Sequence, residues 1–299
     1  MFQDPRVVID DLSLCYPDAY FTHQAPALSA TAPQTDLNFR ARLRRSIMAA
    51  VRQAPMRGVI GRLGELLAKS RRLRERAFYG VMDEMIPYRP GAARALEVGC
   101  GTGRLLKTLA RAGWQAEGVE WDEHAAEIAR RASGRQVTVG DFQNVPLPSA
   151  AYDLVVLHHV IEHLPDTQGC LRKIADILVP GGRAVLIYPN VESLGARVFR
   201  EDWYPWEAPR HLVLPAARAI RNLASAAGLV TASIKSSARS AQTFIAYTRR
   251  YRKGEPLNLR AASITFKDRL FAFCERILTA TGLNLGEELI IVLEKRQGK

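Results

Sequence analysis

The sequence predicts an α/β fold in which a mostly parallel sheet carries helices on both faces. From Arg94 onward, short apolar runs alternate with stretches of helical periodicity, a pattern typical of parallel sheets built from strand–helix–strand units. The chain is also long and apolar enough to bury a large core, with 299 residues of which 47% are hydrophobic and 24% charged. A mostly disordered chain is therefore excluded.

Two segments precede the alternating region. Residues 1–36 are rich in Pro, Ala, Thr and Asp, which predicts irregular chain. Residues 37–91 contain apolar positions at helical spacing among many arginines, which predicts two or three amphipathic helices with a break near Pro55. We expect these helices to form a basic cap on the α/β core.

The alternating region supplies the elements of that core. Strands are predicted at 95–98, 116–120, 136–139, 154–157, 184–188, 229–234 and 288–294, and helices at 103–112, 123–132, 170–178 and 215–227. The stretch 241–285 is basic and helix-like, and we expect it to be an insertion before the last strand. The predicted core therefore comprises residues 92–240 and 286–299.

The net charge of +12 arises from 42 Lys and Arg residues against 30 Asp and Glu residues. It is concentrated in 37–80, with twelve basic and two acidic residues, and in 235–276, with ten basic and three acidic residues. Such an excess suits nucleic acid, an anionic membrane or an acidic substrate as a partner.

The four cysteines form no CxxC pair, which argues against a zinc site or a disulfide frame: Cys15, Cys100, Cys170 and Cys274. The chain shows neither a signal-peptide pattern nor a long apolar run, so we expect a cytoplasmic protein.

A glycine-rich turn joins the first predicted strand to the first helix. From Glu97 to Gly103 it reads Glu-Val-Gly-Cys-Gly-Thr-Gly. Glycines permit a sharp turn and close approach of the backbone to a ligand, and the N-terminus of the following helix favours anionic oxygens. Arg104 stands where a dinucleotide fingerprint needs its third glycine, which argues against NAD or FAD.

Acidic residues follow the next two strands. Glu120 ends the second strand, where a carboxylate accepts hydrogen bonds from both hydroxyls of a ribose. Asp122 is better suited to cap the next helix. Asp141, after the third strand, is suited to an adenine amino group and Phe142 to its ring; the alternative is an ordinary turn Asp beside a core Phe.

In this order, these motifs resemble those of the class I S-adenosylmethionine-dependent methyltransferases. The resemblance covers about 92–235 and the last strand, and includes the segments 153–165 and 178–190. It implies a Rossmann-like seven-stranded sheet, with the last strand antiparallel beside the fifth, and S-adenosylmethionine as cofactor. The cofactor contacts it implies are Glu97, Gly99, Cys100, Gly101, Gly103, Glu120, Trp121, Asp141, Phe142 and His158.

Titratable residues follow the fourth predicted strand, at the edge where parallel sheets bind substrates: His158, His159, Glu162 and His163. A methyl group on a sulfonium is already electrophilic, so the enzyme mainly aligns the reactants, and a base is needed only when the nucleophile carries a proton. We hypothesise that His159, Glu162 or His163 is that base; the alternative is that Glu162 and His163 only position a helix start and the cofactor.

These same residues raise the question of a metal. His159, Glu162 and His163 would lie on one helical face as three ligands if this stretch were a helix. Ubiquinone-biosynthesis O-methyltransferases resemble it with Glu-x-x-Glu-His, and His159 replaces the first Glu, which disfavours magnesium. We therefore expect no metal.

An aromatic cluster follows the fifth strand, Trp-Tyr-Pro-Trp-Glu-Ala-Pro-Arg-His, ending at His211. Similar segments occur in small-molecule methyltransferases linked to polysaccharide, lipid or quinone pathways. We expect Tyr204 and Trp206 to contact a substrate ring and His211 to be a second candidate base. The alternative is a loop held by its aromatics, with His211 capping the next helix.

The sequence thus predicts a methyltransferase acting on a small molecule, with a hydroxyl of a sugar, lipid-linked or quinone-like acceptor favoured. The charge makes an RNA methyltransferase the alternative, but the position after the fourth strand lacks the Asn or Asp-Pro-Pro-aromatic motif of base amino-group methylation, so we do not expect a nucleic-acid substrate. A non-catalytic cofactor-binding protein is the third hypothesis. The basic helices form either a solvated face or a contact with an anionic membrane.

Overall fold

A computed structural model describes residues 39–51, 57–70, 73, 93–255 and 263–297. The predictions for residues 1–36, for Cys15 and for a third N-terminal helix lie outside the described residues. Cys100 and Cys170 are buried and Cys274 is exposed, all three as free thiols.

Seven strands form the sheet. They are β1 (Arg94–Val98), β2 (Gln115–Glu120), β3 (Val137–Val139), β4 (Tyr152–His158), β5 (Leu178–Pro189), β6 (Leu229–Ser237) and β7 (Glu288–Lys295). Their order is β3-β2-β1-β4-β5-β7-β6. The pairs β1–β2, β2–β3 and β4–β5 are parallel, and β7 runs antiparallel to both β5 and β6. The predicted seven-stranded, mostly parallel sheet is confirmed, as is the antiparallel last strand beside the fifth.

Helices connect most of these strands. They are α1 (Phe39–Val51), α2 (Val59–Ala68), α3 (Arg104–Arg111), α4 (Glu123–Ser133), α5 (Thr167–Ile177), α6 (Leu194–Phe199), α7 (Ala217–Ala226), α8 (Ala241–Arg252) and α9 (Phe266–Ala280). Short 3₁₀ turns lie at Ile161–His163, Arg200–Asp202 and Tyr204–Trp206. Among the described residues, none of the helices combines the length and the apolarity that crossing a lipid bilayer requires.

The first of two compact units ends at Val139 and contains β1–β3 and α1–α4. Helices α1 and α2 pack on each other, and the Ser46 hydroxyl donates to the carbonyl of Ile60 at 2.8 Å. Asp122 caps α4 as predicted, since its Oδ1 accepts from the amide of Ala125 at 2.6 Å.

The second described unit begins at Gly140 and contains β4–β7 and α5–α9. Residues 154–157 of β4 are fully buried, which explains why this strand reads as an uninterrupted apolar run. Strand β5 begins at Leu178, six residues before the predicted start at 184. The strand continues through Pro-Gly-Gly because a bulge opposite Tyr152 and Leu154 accommodates these residues.

Helix α5 also begins earlier than the sequence predicted. The Asp166 carboxylate accepts from the amide of Gly169 at 2.8 Å and caps a helix whose first residue is Thr167. The expectation that Cys170 opens this helix is therefore wrong: it lies one turn inside and is fully buried.

Candidate active site

The glycine turn lies between β1 and α3, as predicted. Gly99, Gly101 and Gly103 have φ values of 64°, 49° and 78°, a left-handed conformation that favours glycine. A Cβ on Gly103 would approach the Cα of Ala129 in α4 to 2.9 Å, so the third glycine also permits close packing of the two helices.

Glu120 lies against this turn. Its Oε2 accepts from the amide of Gly101 at 2.6 Å, and its Oε1 accepts from the amide of Asp122 at 3.1 Å. The side chain is only 5% exposed. The structure thus brings together the two features that the sequence predicted for the cofactor, the turn and the acid that follows β2.

The other predicted cofactor residues of this unit differ in exposure. Glu97 is buried, which raises its pKa well above the ordinary value, and its Oε2 has no hydrogen-bond partner. Burial also raises the pKa of the Cys100 thiol. The Cys100 sulfur packs so close to Gly118 that a Cβ on Gly118 would lie 2.8 Å from it. Trp121, beside Glu120, is 60% exposed.

In the second unit, Asp141 and Phe142 have local partners. The Asp141 carboxylate accepts from the amide of Gln143 at 3.0 Å and from the side chain of Asn144 at 2.8 Å. Phe142 is almost fully buried, with the Lys173 ammonium 5.4 Å from its ring centroid. These contacts match the alternative of a turn Asp beside a core Phe, and a role at the adenine stays a prediction.

His159 follows β4 in the left-handed region, at φ 55°. Its Nδ1 lies 3.2 Å from Oε1 of Glu162 and its Nε2 lies 3.0 Å from Oε1 of Glu288. Burial lowers the pKa of His159, but hydrogen bonds and charge from the two carboxylates outweigh this and raise it to about 10. His159 is therefore a cation at neutral pH, and both of its nitrogens are engaged by carboxylates; we call this group the His159 clamp.

Glu162 is fully buried, in the 3₁₀ turn after β4. Burial raises its pKa, but the hydrogen bond and charge of His159 together with the nearby imidazoles lower it to about 2. Its second oxygen, Oε2, has no hydrogen-bond partner. Glu162 is thus a carboxylate at neutral pH with one unsatisfied oxygen.

His163 and His211 lie edge to face, with ring centroids 4.7 Å apart. Nδ1 of His163 is 3.0 Å from the carbonyl of Arg210, and Nδ1 of His211 is 2.6 Å from the carbonyl of Pro205. Because a carbonyl only accepts, each ring carries a proton on Nδ1. Burial lowers the pKa of His163 to about 4 and also lowers that of His211, so both rings are neutral at pH 7.

The structure does not gather the alternative metal set of His159, Glu162 and His163. His159 precedes the 3₁₀ turn instead of sharing a helical face with Glu162 and His163. The described residues instead form two groups with ligand atoms within 4.8 Å of one another, His158, His159 and Glu288 in one and Glu162, His163 and His211 in the other. The arrangement of His159, Glu162 and His163 as three ligands on one helix is therefore wrong.

The aromatic cluster is held by its own contacts. Tyr204 is 8% exposed; its ring packs edge to face on Tyr247, and its hydroxyl donates to Oε1 of Glu207 at 3.0 Å. The Trp206 indole donates to the carbonyl of Arg200 at 2.6 Å. The expectation that His211 caps the next helix is wrong, because its ring contacts Pro205 and Glu207, and α7 begins after Ala216 with no side-chain cap. Substrate contact by Tyr204 and Trp206 stays a prediction.

Sequence reasoning missed two carboxylates of this site. Glu288 at the start of β7 closes the His159 clamp, and Glu207 lies 3.2 Å from Nε2 of His211 and pairs with Arg210. A signal for the first was present, since adjacent acids at 287 and 288 open an otherwise apolar strand. For Glu207 the only signal in the sequence was a single acidic residue within the aromatic cluster.

Comparison with known families shows which family this chain belongs to. A family model described as a methyltransferase domain matches residues 68–234, more than half of the chain. The chain belongs to the methyltransferase domain family. The predicted class I methyltransferase fold and its S-adenosylmethionine cofactor are confirmed at the level of the family.

Relatives of this methyltransferase are similar over shorter stretches. A ubiquinone biosynthesis O-methyltransferase of Marinobacter nauticus is 33% identical over 97 residues, which are 30% of this chain and 41% of that protein. An uncharacterised 37.1 kDa protein in a transposon of Streptomyces fradiae is 32% identical over 126 residues, 40% of this chain and 36% of that protein. The methyltransferase thus spans about two fifths of the length of these curated relatives.

Solved structures share the fold. Phosphoethanolamine N-methyltransferase 2 of Haemonchus contortus, solved in complex with S-adenosyl-L-methionine, is 16% identical with a TM-score of 0.52, covering 74% of this chain and 52% of that one. The [4+2]-cyclase SpnF is 17% identical with the same TM-score of 0.52, covering 87% of this chain and 94% of that one. One name describes methyl transfer and the other a cyclisation, so the fold alone does not define the reaction.

Proposed function

We propose that this methyltransferase transfers a methyl group from S-adenosylmethionine to a hydroxyl of a small-molecule acceptor, with His163 as general base. The observation that carries the proposal is a neutral imidazole whose proton is fixed on Nδ1 by the Arg210 carbonyl, beside the buried carboxylate of Glu162. That tautomer leaves the lone pair on Nε2, the form that an acceptor hydroxyl needs in order to release its proton.

The glycine turn fits the cofactor. The turn exposes a backbone that approaches a ligand without side chains, Glu120 lies against it for ribose hydroxyls, and Glu97 offers a buried oxygen without a partner. Gly99, Gly101 and Gly103, with Glu97, Glu120 and Trp121, would hold S-adenosylmethionine, which supplies an electrophilic methyl group. In the second unit, Asp141, Phe142 and His158 stay candidates for the same role.

Glu162 lies beside His163 and favours its protonated form, but burial outweighs this charge and leaves the pKa of His163 at about 4, so its imidazole is a weak base in the resting protein. Proton uptake from an acceptor hydroxyl would create a cation beside a buried carboxylate. This pairing resembles the stabilisation of a catalytic imidazolium by a buried carboxylate. His159 cannot share the role, because it is already protonated at neutral pH.

The choice of an oxygen acceptor rests on the relatives. Several of them are named ubiquinone biosynthesis O-methyltransferases, at 31% to 35% identity over about a third of this chain. A base is required for a hydroxyl, which must lose its proton as the methyl group arrives, and is dispensable for a free amine. The neutral His163 therefore favours a hydroxyl, with quinone-like phenols, sugars and lipid-linked alcohols as acceptor classes.

The test combines cofactor binding with turnover. We expect S-adenosylhomocysteine to bind in calorimetry, and labelled methyl groups to move from S-adenosylmethionine to members of a panel of phenols and sugars, with bulk tRNA as the nucleic-acid comparison. We expect His163→Gln to lower turnover about 10²-fold or more while the dissociation constant of S-adenosylhomocysteine stays within about twofold.

His124→Gln is the matched control, because His124 is an exposed histidine on α4. It should leave both turnover and binding unchanged. Failure of S-adenosylhomocysteine to bind would overturn the function itself. Normal turnover by His163→Gln would overturn only the assignment of the base, and methylation of tRNA in preference to the panel would replace the acceptor class.

A further inference from the structure

Helix α9 has a well-defined inner face. Asp268, Ala272 and Glu275 are 2%, 0% and 0% exposed. Asp268 forms an ion pair with Arg249 of α8 at 3.2 Å, and Glu275 accepts from the amide of Glu287 at 2.8 Å. This face therefore contains both acidic residues of the helix, and each is engaged inside the protein.

The outer face of α9 is apolar and exposed. Phe266, Leu270, Phe273 and Ile277 are 78%, 51%, 58% and 50% exposed. Their spacing of four, three and four residues places them within an arc of about 60° on the side opposite the buried face. We call these four residues the outer stripe. Large apolar side chains gathered in one exposed stripe mark a contact surface more often than scattered ones do.

The charges that remain exposed on α9 are all basic. Lys267 lies on one side of the outer stripe, and Arg269 and Arg276 lie on the other. The helix thus presents an apolar centre between two basic flanks, with its acids turned inward. This is the distribution of an amphipathic helix that lies in the interface of an anionic bilayer.

The helix is preformed for such a contact. The Thr265 hydroxyl accepts from the amide of Asp268 and the Asp268 carboxylate accepts from the amide of Thr265 at 2.7 Å, a complete capping box. Fifteen residues give a rod of about 22 Å that is anchored along its inner face, so binding would not have to offset the entropy of folding a helix.

We propose that α9 docks this protein on an anionic phospholipid surface, with the outer stripe inserted among the lipids and Lys267, Arg269 and Arg276 at the headgroups. A second copy of the chain is a poorer occupant. A two-fold contact through the outer stripe would place two sets of three basic residues against one another. The proposal assigns the membrane contact to the basic insertion before β7, whereas the sequence left open which of the basic helices would make it. It does not depend on the methyl acceptor.

Vesicle flotation of the full chain tests the proposal. We expect the protein to float with vesicles of phosphatidylcholine and phosphatidylglycerol and to stay at the bottom with phosphatidylcholine alone or in high salt. The double variant Phe266→Ser/Phe273→Ser should lower the partition coefficient about tenfold or more, because two large apolar side chains no longer enter the lipid. Val230→Ser, which removes an exposed apolar side chain on β6, is the control and should float like the wild type.

A second variant reports on insertion directly. Leu270→Trp should emit at shorter wavelength in the presence of anionic vesicles, relative to the wild type, and should be quenched by brominated lipid. Circular dichroism and the melting temperature confirm folding of each variant, which is expected because every substituted side chain is exposed. The proposal is overturned if the wild type does not float with anionic vesicles, if the double variant floats as well as Val230→Ser, or if the double variant instead dissociates a dimer that binds no vesicles.

Discussion

At the scale of single residues, Glu120 is the clearest link between sequence and cofactor. Its carboxylate is fixed by two backbone amides, one of them from the glycine turn itself. We propose that Glu120 binds the ribose hydroxyls of the cofactor, and a carboxylate held in this way would be preorganised for them because its orientation is set before a ligand arrives.

We therefore predict that Glu120→Ala raises the dissociation constant of S-adenosylhomocysteine at least tenfold, a loss of about 1.4 kcal/mol, as measured by calorimetry. Glu123→Ala, at an exposed acid on α4, is the matched control and should bind normally. Equal affinities in the two variants would mean that Glu120 only stabilises the turn.

The same scale shows what the sequence could and could not predict about the site. The glycine turn and Glu120 were found because a local motif defines them. Glu288 was not found, because it contacts His159 from 129 residues away and no local motif gives the register that pairs it with Pro189 at the end of β5. The protonation of His159 could not be predicted for the same reason, because it depends on both carboxylates of the clamp.

At the scale of elements, the His159 clamp connects the end of β4 to the start of β7. Glu288 is almost buried and also accepts from the Ser240 hydroxyl at 2.9 Å. The raised pKa of His159 means that the folded protein holds this proton more tightly than the unfolded chain. Its stabilisation is therefore complete below the ordinary value of 6.5 and is lost as the pH rises through about 10. Glu288 matters at the acidic end of the pH range. Because its pKa is lowered, the stabilisation from its carboxylate is lost as the pH falls below the ordinary value of 4.5.

We predict that Glu288→Gln lowers the free energy of unfolding by about 1 to 3 kcal/mol near pH 6, and that this difference shrinks toward about pH 10. Urea unfolding across this range measures it. Glu294→Gln is the control on the same strand, because Glu294 pairs with the guanidinium of Arg183 at 3.0 Å and not with an imidazole. A deficit for Glu288→Gln that stays constant from neutral to alkaline pH would contradict a protonated His159.

Elements were predicted more completely than their ends. The strands were recognisable because burial on both faces makes β4, β5 and β7 continuous apolar runs. The start of β5 was missed because Pro-Gly-Gly is typical of a turn, and here a bulge accommodates it within the strand. The role of α9 was equally invisible, since a stripe of apolar residues at helical spacing predicts a core face and only the fold shows that this one is exposed.

At the scale of the whole molecule, the net charge of +12 is concentrated in the two basic segments, 37–80 and 235–276. The second segment contains α8 and α9, and α9 contributes basic residues to the surface while Asp268 and Glu275 lie inside. A basic excess in the sequence therefore understates the basicity of this surface, because the acids that would offset it are buried. On the proposal that α9 docks on an anionic lipid surface, this charge bears on where the protein resides.

A buried pair of acids, Glu275 of α9 and Glu287, makes the stability of the fold depend on pH. Glu275 accepts from the amide of Glu287 at 2.8 Å, and Glu287 accepts from the Trp203 indole at 2.8 Å. One oxygen of each carboxyl has no partner. Burial and the mutual repulsion of two negative charges raise the pKa of Glu275, and burial also raises that of Glu287. Because the folded protein binds these protons more tightly than the unfolded chain does, the free energy of unfolding is highest at or below the ordinary pKa of 4.5 and declines as the pH rises above it.

Glu275→Gln should remove much of that decline. Glutamine keeps the oxygen that accepts from the amide of Glu287, and its amide group can donate to the carboxylate of Glu287. We predict that this variant unfolds at the same temperature as the wild type near about pH 5 and at a higher temperature near about pH 8, in calorimetric scans. Glu201→Gln, at an exposed acid before the aromatic cluster, should follow the wild type at both pH values. If Glu275→Gln instead lowered the melting temperature equally at both, the pair would be ionised in the folded protein, and the inward acids of α9 would stabilise it through their charge and not through a shared proton.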